Sequence, residues 1–168
     1  MVIWIIGLSG SGKTTLANHL ASALRSKNKA VVVLDGDVIR EIFGNDLGYS
    51  MSDRFLNANR ICNLGKFLSE QNIIVISPIL SLFVENQEWN RENINKYYQV
   101  YIDTPMDDLI KRDSKGLYKK YLDGSIKDVA GMDLEFPSPY KSDLIIKNSK
   151  DKDYLLSFSN TIIDYILN

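Results

Sequence analysis

The sequence holds a single cysteine, a single histidine and no surplus of either charge, and each shortage removes a class of function. Cys62 cannot close a disulfide within the chain. Neither it nor His19 has the neighbouring ligands of a metal cluster, so both are expected to pack or to face solvent without chemistry. Lys and Arg number 20 against 21 Asp and Glu, a formal net charge of −1. That balance gives no electrostatic reason to expect a nucleic acid polymer or a membrane as partner, although a local basic pocket can still hold a small anion. No apolar run approaches the roughly 20 residues of a membrane span. The first run, Val2 to Ile6, stops at Gly7 without a basic leader or the length of a signal core, and a cytoplasmic protein is expected. Internal repeats and low-complexity tracts are missing too. At 168 residues the chain suits one domain with a sizeable core, expected over 1–168, better than two.

What is present is a rhythm. Short β-branched apolar runs recur at Val2 to Ile6, Ala30 to Leu34, Ile73 to Ile76, Val100 to Ile102 and Leu144 to Ile146. Between them lie stretches of helical spacing, Thr14 to Arg25, Asp53 to Gln71 and Pro105 to Arg112, with a last one from Asp153 to Leu167. Such βα alternation implies a five-stranded parallel sheet covered by helices on both faces, with ligands at the carboxyl ends of the strands. The stretch at about 114–140, rich in Gly, Lys, Asp and Pro, breaks the rhythm and is expected to be a mobile lid.

Directly after the first run comes Gly7-Leu8-Ser9-Gly10-Ser11-Gly12-Lys13-Thr14, a full match to G-x-x-x-x-G-K-[ST] in the required context of strand before and helix after. Its glycines let backbone N–H groups converge on phosphate oxygens at a helix N-terminus. Lys13 is expected to reach the β- and γ-phosphates, and the Thr14 hydroxyl to ligate Mg²⁺. Gly7, Ser9, Gly10, Ser11, Gly12, Lys13, Thr14 and Thr15 are the candidate ATP contacts. The expected fold is α/β, a three-layer sandwich of the P-loop NTPase type with a lid.

The destination of the phosphate is read from a second set of absences. The third strand ends in Ser77-Pro78 with no carboxylate for a switch or motor, and Asn95-Lys96-Tyr97-Tyr98 lacks the Asp of a guanine-reading tetrad. Two acids stand instead after the second strand, in Leu34-Asp35-Gly36-Asp37, with Arg40 one helical turn later. A carboxylate there can take a proton from an acceptor hydroxyl while the arginine orients an anionic acceptor, which is the logic of a kinase. A helix-capping Asp37 beside a solvated Arg40 is the alternative.

These strings resemble the adenylyl-sulfate kinase family, whose members phosphorylate the ribose 3′-hydroxyl of adenosine 5′-phosphosulfate with ATP and Mg²⁺. GLSGSGKTT and LDGDVIR match its first blocks. Asp46-Leu47-Gly48-Tyr49-Ser50 resembles D-L-G-F-S, Asp53-Arg54 with Asn57 and Arg60 resembles D-R-x-x-N-x-R-R, and Ile76-Ser77-Pro78 resembles I-S-P. Asp103-Thr104-Pro105 resembles D-T-P, and Arg112 to Lys120 resembles R-D-x-K-G-L-Y-K-K. The resemblance implies that Asp37 is the base, that Lys13 and Arg112 offset charge on the transferred group, and that Arg40, Arg54, Asn57, Ile76 and Ser77 anchor the acceptor nucleotide. It further implies that Tyr49 offers a ring face to the base and that Lys115 closes the lid. Arg54 and Arg60 lie six apart on a helix, about 120° around it, and Arg54 is the one expected at the site. A homodimer is expected by analogy alone.

Departures from the family pattern gather on the acceptor side. The paired arginines read Asn59-Arg60, S-P-Y-R reads Ser77-Pro78-Ile79-Leu80, and I-x-x-F-T-G reads Ile126 to Gly131 with Val129 at the aromatic position. Phe136 is the candidate to compensate. The pattern also suits cytidine diphosphoramidate kinases of bacterial capsule modification, which resemble this family and act on a smaller base. A nucleotide-binding regulatory protein that has lost catalysis is the non-enzyme alternative, disfavoured because Lys13, Thr14, Asp37 and Arg112 all persist. Kinases of nucleosides or shikimate-like substrates fit the DLGYS and KGLYKK strings less well.

Overall fold

A computed structural model describes residues 1–113 and 115–167. Five parallel strands lie in the order β2-β3-β1-β4-β5, namely β1 (Val2–Ile6), β2 (Val31–Val33), β3 (Ile74–Ile79), β4 (Tyr97–Asp103) and β5 (Leu144–Lys147). The central β1 is buried along its whole length and pairs Ile3 with Ile76 on one side and with Tyr98 on the other. Strand alternation divides its side chains between two cores. Ile3 and Ile5 pack with Leu16, Leu20 and Leu24 of α1 (Lys13–Arg25) and with Leu155 and Ile162. Val2, Trp4 and Ile6 face Ile39 of α2 (Gly36–Ile42) and Ile61 of α3 (Met51–Glu70). The three layers anticipated from the βα rhythm are present.

Several boundaries differ from expectation for identifiable reasons. β3 runs on through Ser77-Pro78 to Ile79. Its pairing with β2 ends at Ile76, so Pro78 occupies a local edge, where the missing N–H is tolerated. The expected helix from Asp153 to Leu167 is two helices, α7 (Lys152–Ser157) and α8 (Ser159–Leu167). Ser157 Oγ donates back to the Tyr154 carbonyl, a bond that competes with the helical ladder at the break. The helix α4 (Val84–Asn93) has no apolar period, because it buries the amides Asn86, Gln87 and Asn90.

After α5 (Met106–Arg112), the stretch expected to be a lid contains a further helix, α6 (Leu117–Leu122). It also has a small core in which Leu109, Tyr118 and Val129 are buried among Leu8, Met106 and Met132. Through Leu8 that core reaches the loop after β1. Among the described residues no helix is long and apolar enough to cross a membrane.

Candidate active site

The loop after β1 is built for close approach. Gly7 carries no side chain because a Cβ there would lie 2.6 Å from Ser11 Oγ and 2.9 Å from the Ile102 carbonyl. Gly12 caps α1 with φ of 102° and no side-chain hydrogen bond. The first amides of α1 therefore stay open towards the loop, the arrangement that binds phosphate. Lys13 Nζ donates to the Leu8 carbonyl at 2.9 Å. Burial lowers its pKa to about 8, against the opposing pull of Asp35. The loop is held from outside by Asn148 Nδ2, which donates to the Ser11 carbonyl at 2.9 Å, and by the Tyr118 hydroxyl, which donates to the Ser9 carbonyl at 2.9 Å.

The two acids after β2 take different parts. Asp35 is the N-cap of α2 and accepts from the Asp37 amide at 3.0 Å. Its other oxygen lies 3.4 Å from Thr14 Oγ1. Hydroxyl and carboxylate together make a hard-oxygen corner beside the phosphate loop. Among the described residues no group of three or more His, Cys, Asp or Glu could hold a metal ion alone. A corner of this kind fits Mg²⁺, which takes one or two protein oxygens and completes its shell with phosphates and water. Asp37, relieved of capping, turns its carboxylate into the cleft. Lys115 Nζ reaches it at 3.2 Å and Arg40 at 3.7 Å.

These groups line one cavity of about 580 Å³. Ser9, Gly10, Gly12, Lys13, Thr14 and Thr15 form its donor side. Asp37, Arg40, Tyr49, Arg54, Asn57 and Lys115 also line it. Arg40 is buried; its Nε donates to the Gly48 carbonyl at 3.2 Å and its guanidinium sits 4.7 Å from the Tyr49 ring centre. Arg54 donates to the Tyr49 carbonyl at 2.7 Å and to the Asp128 carbonyl at 3.1 Å, tying α3 to the 115–140 stretch. Burial, then the neighbouring Arg40 charge, lowers its pKa. Asn57 Nδ2 donates to the Gly36 carbonyl at 3.2 Å, while its buried Oδ1 has no partner.

Other expected residues stand elsewhere. Gly7 and Ser11 support the loop without lining the cavity. Ile76 belongs to the core beneath the sheet and Ser77 is fully buried opposite Trp4, so the cavity wall starts one residue later, at Pro78. Arg112 lies outside the cavity lining: its guanidinium donates to the carbonyls of Asn148 and Lys150, at 3.1 and 2.8 Å. Val129 is buried in the small core under α6, and Phe136 packs on Tyr101, with ring centres 6.2 Å apart, so neither ring nor branch faces the cleft. Arg60 is held by Asp46 at 2.7 and 3.0 Å, away from the cavity. Cys62 is buried and its thiol pKa is pushed up to about 12; His19 faces solvent. Sequence reasoning misses Asp35, although it stands two residues before Asp37. It also misses Asn148 and Tyr118, whose contacts to the loop span 137 and 109 residues and leave no local signal. Of the wall from Pro78 to Phe83, the sequence singles out only Pro78, Ile79 and Leu80, as a departure from the family string.

Comparison with known proteins adds to this geometry. A model of the family described as adenylylsulphate kinase matches residues 1–147. A cytidine diphosphoramidate kinase from Campylobacter jejuni is 43% identical over 148 residues, 88% of this chain and 86% of that protein. An adenylyl-sulfate kinase from Clostridium acetobutylicum is 36% identical over 166 residues, 98% of this chain and 82% of that protein. Among solved structures, the Mycobacterium tuberculosis APS kinase in complex with AMPPNP and APS superimposes with a TM-score of 0.90 at 31% identity, covering 99% of this chain and 97% of that one.

Proposed function

The chain belongs to the adenylylsulphate kinase family, and on that premise we propose that it transfers the γ-phosphoryl group of ATP to the ribose 3′-hydroxyl of a 5′-modified nucleotide. It is an ATP-dependent kinase that works with Mg²⁺. The observation that carries the acceptor reading is Asp37: a carboxylate that caps no helix lines the same cavity as Lys13 and Thr14.

In this reading the triphosphate lies along the amides of residues 9–15, with Lys13 on the β- and γ-oxygens. Thr14, with Asp35 behind it, would hold Mg²⁺, which when bound would supply positive charge to offset that developing on the phosphates. Asp37 takes the hydroxyl proton as the oxygen attacks in line, and Arg40 and Arg54 steer the acceptor's anionic tail. Lys115 leaves Asp37 for the phosphoryl oxygens as substrate arrives. The 115–140 stretch then keeps water out, which would otherwise compete as acceptor.

Adenosine 5′-phosphosulfate is the acceptor that the weight of the family favours. A cytidine diphosphoramidate acceptor is favoured by two specific observations, the 43% identity to such a kinase and the burial of Val129 away from the cleft. ADP release from ATP and Mg²⁺ with each acceptor separates them. Preference for the cytidine compound selects the second reading, equal or better turnover of the adenosine compound selects the first, and release with neither removes both. A homodimer in the cytosol is the accompanying proposal, and light scattering reads the assembly state.

A further inference from the structure

The cavity has two chemically unlike halves. Four cations, Lys13, Arg40, Arg54 and Lys115, face it together with Asp35 and Asp37. The other half is one unbroken segment, Pro78 to Phe83, that closes β3 and follows it, with no charged side chain. An acceptor nucleotide whose hydroxyl meets Asp37 and whose anionic tail meets the arginines leaves its base to apolar surface, of which this wall is the longest continuous stretch.

Among the described residues two aromatic rings line the cavity, Tyr49 and Phe83. Tyr49 is already engaged: the Arg40 guanidinium covers it at 4.7 Å and that of Arg54 approaches to 5.8 Å, which leaves at most one ring face for a ligand. Among the described residues no cation lies over the Phe83 ring. Its ring plane is set by an edge contact with Phe55, centroids 5.0 Å apart at 77°, and its backbone is the N-cap of α4. The wall is pinned from beneath. Ser81 sits in the left-handed region with φ of 54°, a conformation that persists only where the surroundings impose it. Here Ser81 Oγ accepts from Trp4 Nε1 at 3.2 Å and from Gln87 Nε2 at 3.3 Å. Gln87 in turn accepts from the Tyr140 amide at 2.9 Å. A loop so heavily tied, ending in an unclaimed ring beside the cleft, has the rigidity that a stacking surface needs.

We propose that Phe83 is the platform on which the acceptor's base stacks, and so a specificity-determining residue of the transfer. The inference rests on the reading of the acceptor as a nucleotide. A stacked base is worth about 1–3 kcal/mol, on the order of a 5- to 150-fold change in affinity.

The test is steady-state kinetics of the full chain with ATP, Mg²⁺ and whichever of adenosine 5′-phosphosulfate or cytidine diphosphoramidate the wild type turns over. Phe83→Ala raises the acceptor KM by about 5- to 150-fold while the ATP KM stays within about twofold. Phe83→Leu, which keeps apolar bulk without a π-face, shows most of that rise, and Phe83→Tyr stays near wild type; these two carry the test if the alanine variant melts. Wild-type acceptor KM in both the alanine and leucine variants overturns the inference, as does an equal rise in the KM of ATP. Wild type that turns over neither nucleotide overturns the functional reading itself, and the inference with it.

Discussion

Replacing Asp37 by Asn separates chemistry from architecture more cleanly than any other change in the site. Asn keeps the side chain's shape and removes the proton-accepting charge. A positioned base contributes about 10²- to 10⁴-fold, which at 1.36 kcal/mol per decade is about 3–5.5 kcal/mol of barrier. The structural cost is small. The partners of Asp37 are Lys115 at 3.2 Å, with side chains 71% and 53% exposed, and Arg40 at 3.7 Å. The exposed pair with Lys115 contributes about 0–1 kcal/mol, the buried Arg40 keeps its bonds to the Gly48 and Gly36 carbonyls, and the cap of α2 belongs to Asp35 rather than Asp37. Tm should therefore move by no more than about 4 °C. Coupled ADP release at saturating acceptor should show kcat lower by about 10²-fold or more, with the ATP KM changed only a few-fold, because Lys13 and the loop amides are untouched. A kcat loss smaller than about tenfold, or a large rise in ATP KM at unchanged kcat, refutes the assignment of Asp37 as base.

Lys13 predicts a pH effect on ATP binding. Burial lowers its pKa to about 8, whereas a bound triphosphate favours the charged form, so binding takes up a proton and weakens as pH climbs through about 8, by at most about tenfold per pH unit. Calorimetry in buffers of different ionisation enthalpy measures the uptake; Lys13→Arg, which stays charged, should show none. Without ligand the sign reverses. Between about 8 and the ordinary 10.5 the unfolded chain binds more protons, so stability rises with pH across that window. Gly12→Ala places a Cβ 2.4 Å from Leu155 Cδ2 at a φ of 102°, and should lower Tm by roughly 5 °C and weaken ATP binding. Adding Leu155→Ala should restore only part of the loss, since the backbone strain stays; full recovery contradicts it. Arg112→Ala should raise the ATP KM several-fold through the loosened Asn148 loop and leave kcat within a few-fold. Collapse of kcat at unchanged ATP KM would restore a direct role at the transferred group.

How far the sequence reveals this molecule depends on whether a feature is made by neighbours along the chain. β1 is legible residue for residue, because a strand buried on both faces is one apolar run ended by glycine. The phosphate loop is legible for the same local reason, its residues being contiguous. α4 is hidden, since a helix that buries Asn86, Gln87 and Asn90 presents no apolar stripe. The second half of β3 is hidden by a proline that looks like a strand end until its one-sided pairing is known. On the acceptor side, Asp37 and Arg40 follow from the acids after the second strand, and Arg54 from the family resemblance. The fate of Arg112, Val129 and Phe136 follows instead from which distant surface each one meets. The shift of the capping duty from Asp37 to Asp35 is a matter of one peptide, finer than any pattern of residue types resolves.

The placement of the two loops has a consequence for lineage. β1 and β3 are direct neighbours in the sheet, so the grip on the donor and the wall facing the acceptor rise side by side, yet each is encoded by its own short, separate piece of gene. The six codons from Pro78 to Phe83, which close β3 and follow it, can drift or be exchanged as a cassette with little effect on the phosphate loop next door, so long as Ser81 keeps its bond to Trp4 of β1. A scaffold divided in this way can diversify its clientele while its energy source stays constant, and grafting that hexapeptide between relatives is the natural first move for anyone seeking to retool it.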